Sequence, residues 1–142
     1  MKKLILFSLI VCLFASCKKD NKEDSPPRSA LLTTGTWKIT AFLTDDDGNG
    51  SFEYDLYAVL PACWKDNYFT FKVGGVLEMN EGATKCDPLD SQTENSTWAL
   101  LENDSKLSLD GDPFVIETLT NTTLRIRDVD PIDGTQITMT RQ

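Results

Sequence analysis

Residues 97–128 read TWALLENDSKLSLDGDPFVIETLTNTTLRIRD, and this stretch decides the fold. Four short runs rich in apolar and β-branched residues, 97–101, 106–109, 114–119 and 123–128, are divided by polar turns at 102–105, at Asp110-Gly111-Asp112-Pro113 and around Asn121. Their alternation has period two, the repeat of a strand whose successive side chains point to opposite faces. Connections this short return the chain antiparallel beside itself.

The rhythm extends both ways. Upstream, Phe69, Phe71 and Val73 share a face along 68–73, and Gly74-Gly75 turns that run into 76–80. Earlier still, Gly35 opens 37–43, where Trp37, Ile39, Ala41 and Leu43 alternate with Lys38, Thr40 and Phe42. Downstream, Asp130-Pro131-Ile132-Asp133-Gly134 leads into 135–141. About eight consecutive strands predict an all-β chain, an eight-stranded antiparallel up-and-down barrel whose closure leaves no edge open to pairing. One segment differs: Leu56, Val59 and Leu60 stand at helical spacing behind Asp55 and before Pro61. This predicts a short helix over 55–60, lying across one end of the barrel.

The N-terminus has another chemistry. Lys2 and Lys3 precede an apolar run at 4–14 and small Ala15-Ser16, the three zones of a secretory signal. That run falls short of the roughly 20 residues a bilayer-spanning helix needs. Leu13-Phe14-Ala15-Ser16-Cys17 resembles a lipobox, which implies cleavage behind Ser16 and acylation of Cys17. With more than one acyl chain, each buried methylene adding about 0.8 kcal/mol, such a cysteine anchors the protein at a membrane surface. The polar stretch that follows ends in Pro26-Pro27 and reads as a solvated tether. The expected organisation is therefore a signal peptide at 1–16, a lipidated N-terminus and tether at 17–30, and one domain at 31–142. The lysines and acidic residues directly behind Cys17 resemble the signal that sends Bacteroidota lipoproteins to the outer leaflet. That resemblance implies an outer-membrane, lipid-anchored, surface-exposed protein.

Removing Lys2 and Lys3 takes the formal net charge from -8 to -10, and the chain has no histidine. Phosphate backbones need a basic patch, so nucleic acid is excluded as a partner. Anionic lipid headgroups are excluded as the means of attachment on the same ground, which leaves the lipid to do it. Cys12 leaves with the signal and Cys17 is acylated, so Cys63 and Cys86 remain to pair in an oxidising compartment. A zinc site lacks histidine, and no C-x-x-C spacing supports a redox pair.

Several stretches together resemble the lipocalin-like domain of bacterial lipoproteins. They are Leu32 with Gly35-Thr36-Trp37; Cys63-Trp64-Lys65-Asp66-Asn67 leading into Tyr68-Phe69-Thr70-Phe71; Glu81-Gly82-Ala83-Thr84-Lys85-Cys86; Ser96-Thr97-Trp98-Ala99-Leu100; and the hairpin through Leu119-Thr120-Asn121-Thr122-Thr123-Leu124. The resemblance implies an eight-stranded barrel of a kind that often holds small apolar molecules, without implying a particular ligand. It also implies that Trp37 packs at the closed end under an arginine from a late strand, with Arg125, Arg127 and Arg141 all eligible.

Asp45-Asp46-Asp47-Gly48-Asn49-Gly50-Ser51-Phe52-Glu53 fits the opening of a calcium loop. Asp45, Asp47 and Asn49 would be side-chain ligands, Ser51 a carbonyl ligand, and Glu53 or Asp55 a weaker substitute for the missing distal glutamate where Leu56 stands. A solvated Asp/Gly turn is the simpler and preferred reading of the same residues. Catalysis is not expected: there is no histidine base, no phosphate loop and no G-x-S-x-G turn.

Two roles follow for a non-catalytic barrel. In the first, it binds a small apolar ligand against Phe69, Phe71, Met79, Trp98, Ile116, Ile126 and Met139, with Leu109 and Ile137 completing the wall. In the second, these side chains fill the interior, and the loops 44–54 and 85–95 of a solid scaffold bind an envelope protein or a surface glycan. The interior volume separates them, with about 100 Å³ as the least room a ligand needs.

Overall fold

The computed structural model describes residues 26–130 and 134–142. The signal peptide, Cys17 and the tether as far as residue 25 lie outside the described residues, as does the middle of the turn at 131–133. A helix α1 (Arg28–Thr33) precedes β1 (Trp37–Thr44), followed by the two-residue β2 (Tyr54–Asp55) and the single-turn helices α2 (Leu56–Val59) and α3 (Ala62–Lys65). The remainder is β3 (Tyr68–Lys72), β4 (Val76–Asn80), β5 (Thr93–Leu101), β6 (Lys106–Leu109), β7 (Asp112–Leu119), β8 (Thr123–Asp128) and β9 (Thr135–Arg141).

Each strand from β3 to β9 pairs antiparallel with the next, and β9 returns along the whole of β1. The result is a closed eight-stranded barrel, with β2 a short ribbon on the end of β1. Closure satisfies the backbone groups that an open sheet would leave bare. The seam between β1 and β3 is a single pair, Trp37 with Phe69. Beyond that pair the two strands part, and α2 and α3 pack against β1 where the wall opens.

Two bulges decide which residues face inward. In β1 the register with β9 shifts between Ile39 and Ala41, so Phe42 stands opposite Ile137 as Ile39 stands opposite Met139. An extra residue inverts the alternation. The face expected from Trp37, Ile39, Ala41 and Leu43 therefore ends at Ile39, and Phe42 takes the next inward place. In β7 the shift between Ile116 and Thr118 brings Leu119 onto the face of Phe114 and Ile116. It also leaves Glu117 outside, against Arg125, Arg127 and Gln136.

Other expectations shift at their edges. Helix α1 takes in the last three residues assigned to the tether, with Leu32 fully buried. Pro61 ends α2, as its missing N–H requires, but it also stands at the N-cap of α3, a helix too short for its spacing to predict. Strand β5 begins at Thr93, inside the stretch read as a loop at 85–95. Strand β7 begins before Pro113, which faces Ser108 near the strand's start, where a lost donor is tolerated. Val73, expected on the inner face, lies past the end of β3 in the turn and is 88% exposed.

The core fills the lower barrel. Trp37, Phe71, Leu107, Leu124 and Ile126 are fully or almost fully buried, with Trp98, Ile116, Leu77 and Met139 around them. Phe71 meets Trp98 edge to face at 5.6 Å between centroids, and the Trp98 Nε1–H donates to the Lys72 carbonyl at 2.9 Å. Each large apolar side chain buried here contributes about 1.5–3 kcal/mol.

Candidate functional site

Space remains at the opposite end, in the mouth of the barrel. An enclosed apolar chamber of about 100 Å³ lies between Ile39, Phe42, Phe69 and Met79 of the barrel and Tyr57, Leu60, Trp64 and Asn67 of the α2–α3 segment. Beside it a more open compartment of about 290 Å³ is lined by Phe69, Leu77, Met79, Glu94, Asn95, Ser96 and Asp110. Phe69 and Met79 are walls of both. Met79, unbranched and adaptable, is suited to such a partition.

The lid is fastened. Cys63 of α3 is joined by a disulfide to Cys86 of the β4–β5 loop, with 5.3 Å between the Cα atoms. This is the pairing expected from the sequence. Asp66 Oδ2 accepts from the Ala83 and Thr84 amides at 3.1 and 2.9 Å. Asn67, 8% exposed, turns its amide nitrogen to the carbonyls of Cys63 and Glu81 at 2.9 and 3.2 Å. Gly82 completes the bracket at φ +67, with the Asp66 carbonyl oxygen 2.4 Å from where a Cβ would stand. Together these contacts hold α3 against the loop across the mouth.

The opening beside the chamber follows from unequal strand lengths. Strand β6 ends at Leu109, opposite Trp98, so the first residues of β5 have β4 on one side and no strand on the other. The Asp110 amide donating to the Thr97 carbonyl at 2.8 Å is the last link across. Paired residues of an antiparallel ladder point to one face. Met79 pairs with Glu94 and Leu77 with Ser96, so Ser96 and Glu94 continue the inward file of Leu100 and Trp98 toward the mouth. That file passes from apolar to acidic.

The other end is sealed. The Trp37 Nε1–H donates to the Leu32 carbonyl at 2.9 Å, and Arg141 lies over the indole and donates to the Leu31 carbonyl. Of the three eligible arginines, Arg141 is the one at Trp37, while Arg125 and Arg127 face outward to Glu117. A shallow outer groove runs between α1, the β3–β4 turn and Trp98.

Of the seven interior residues named from the sequence, Phe69 and Met79 line the mouth. Phe71, Trp98, Ile116, Ile126 and Met139 pack on one another below it. Leu109 and Ile137 border that core. Phe42, Tyr57, Leu60, Trp64, Glu94 and Ser96 escaped the sequence reading, since bulge, lid and the extension of β5 bring them there.

The acidic loop after β1 is organised by its own amides. Asp45, 1% exposed, accepts from the Asn49 and Gly50 amides at 3.1 and 2.7 Å. Asp47 accepts from the Asn49 amide at 3.2 Å and from its side chain at 3.0 Å, and Asn49 Oδ1 accepts from the Ser51 amide at 2.8 Å. Glu53 lies beside Asp46, Asp47 and Tyr54 at the surface. Among the described residues, no three Asp, Glu, Cys or His side chains converge as a metal site. No described helix is long and apolar enough to cross a membrane.

The model of one family, the lipocalin-like domain, matches residues 33–126, well over half of the chain. No curated protein matches it.

Proposed function

Since this chain belongs to the lipocalin-like domain family, we propose that it is a non-catalytic binding protein that takes a small apolar ligand beneath the α2–α3 lid. A lipid on Cys17 holds it at the outer membrane, exposed at the cell surface. The lipocalin-like fold is typically a binding fold, and its barrel is a ligand-binding type of scaffold.

The enclosed apolar chamber carries the proposal. Its volume of about 100 Å³ stands at the lower limit for a ligand, and a dry apolar cavity of about 150 Å³ is known to accept benzene. A second compartment lies on the other side of Phe69 and Met79 and is reached when these side chains move aside. The ligand's deeply buried part is therefore short, and the rest of it lies toward the mouth. Binding without chemistry is supported by the absence of histidine and by walls that are mainly carbon. In the acidic loop 45–53 the loop's own amides engage Asp45, Asp47 and Asn49, the arrangement of a self-organised Asp/Gly turn.

One observation favours a second reading, a solid scaffold that binds an envelope protein or glycan through its loops: the lower barrel is filled by its own side chains. Titration with a neutral apolar fluorophore such as N-phenylnaphthylamine separates the two. The ligand reading expects saturable emission that is displaced by n-octanol and lost when Met79→Trp fills the partition. Unsaturable emission, or emission unchanged in that variant, contradicts it.

A further inference from the structure

The mouth of the barrel says more about the ligand than that it is small and apolar. Resting on the ligand reading above, we propose that the ligand is a cationic amphiphile, with its apolar tail in the chamber under the lid and its ammonium head at Glu94 and Asp110.

The register places the first carboxylate. Glu94 pairs with Met79, and Met79 is a wall of both compartments, so Glu94 points to the barrel interior and not to the outer surface. An acidic side chain on the inner file of a barrel is costly unless it is hydrated or paired. Here β6 stops at Leu109 and leaves the wall open beside it, which keeps Glu94 exposed. Asp110 is held on the other side of that opening by a tight turn, with φ of +52 at Asp110 and +99 at Gly111. No described residue makes a hydrogen bond or ion pair to either carboxylate.

Polarity therefore changes in one direction. From Phe42 and Ile39 through Met79 and Ser96 to Glu94 and Asp110, the walls pass from hydrocarbon to unpaired negative charge, and no described lining residue is lysine or arginine. A carboxylate-headed amphiphile entering tail first would set its charge against two like charges. An alcohol would be tolerated, and a protonated amine would be attracted. The rim is hydrated, so the preference is modest, about fivefold at low salt, and it fades as ionic strength rises.

The test compares one chain length with three heads. The full-length protein is titrated with n-octylamine, n-octanol and n-octanoate at neutral pH and low salt, following the Met79 methyl resonance. The expected order is amine, then alcohol, then carboxylate, with about fivefold between the first two. The double variant Glu94→Gln with Asp110→Asn, whose melting midpoint and near-UV circular dichroism matching the parent report an intact fold, is expected to bring octylamine within about twofold of octanol. Equal binding of amine and alcohol by the parent, tightest binding of octanoate, or an amine preference that survives in the variant overturns the head-group assignment and leaves the apolar-ligand reading standing. If none of the three probes binds, that reading itself fails, and this inference falls with it.

Discussion

The guanidinium of Arg141 lies over the indole of Trp37, with 4.8 Å between Cζ and the ring centroid. The two residues are also register partners, where the start of β1 meets the end of β9. The contact therefore joins the ends of the barrel across its closing seam. It also draws in α1, because Trp37 donates to the Leu32 carbonyl and Arg141 to the Leu31 carbonyl.

This corner is expected to dominate stability. Trp37→Ala should cost about 3–5 kcal/mol through the cavity it leaves. Arg141→Lys keeps the charge but loses the planar stack, and should cost about 0.5–2 kcal/mol. Denaturant midpoints of the two variants measured at one temperature check the order.

The Cys63–Cys86 disulfide closes the lid onto the β4–β5 loop. Converting both cysteines to serine should remove about 3 kcal/mol by the chain-entropy argument. It should also make the fluorescence of Trp64, which lines the chamber while 57% exposed, more sensitive to a soluble quencher. Melting curves and quenching of the variant against the parent read both effects.

Two glycines of positive φ separate backbone strain from steric exclusion. At Gly82 an added Cβ would stand 2.4 Å from the Asp66 carbonyl oxygen, whereas at Gly111 it would meet nothing within 4 Å. Gly111→Ala should cost about 1 kcal/mol, the left-handed conformation alone. Gly82→Ala should cost at least about 2 kcal/mol, because the bracket between α3 and the loop must move apart. Thermal unfolding of the pair tests the difference.

The β1 bulge makes a further claim, since it turns Phe42 into the chamber and Ala41 away from it. Phe42→Asp should destabilise the protein by at least about 2 kcal/mol more than Ala41→Asp. Equal costs at the two positions would mean that the alternation runs unbroken along β1.

That bulge marks the limit of what the chain discloses as text. Alternation and hairpin-length turns made the eight strands legible, because each residue's own side chain states its preference for one face. A bulge is set by the partner strand, so the inward turns of Phe42 and Leu119 could not be read locally. Helices α1 and α3 are too short to show a period and are held by what they touch, Leu32 by the core and Cys63 by its disulfide. Glu94, Asn95 and Ser96 look like loop residues, and only pairing with β4 makes them strand. The candidate site was accordingly the less visible part. Phe69 and Met79 were legible as inward residues, but the lid and the acidic rim depend on long-range closure. Arg141 could be separated from Arg125 and Arg127 only once the β1–β9 register was known.

The central claim is that the chamber beneath the lid is occupied in the cell. Native mass spectrometry of the protein taken from its own membranes, with and without reduction of Cys63–Cys86, tests it most directly. The expected result is a non-covalent small-molecule adduct on the oxidised parent, diminished on reduction and missing from Met79→Trp. A spectrum showing only the polypeptide with its covalent modifications, identical in parent and variant, would contradict it.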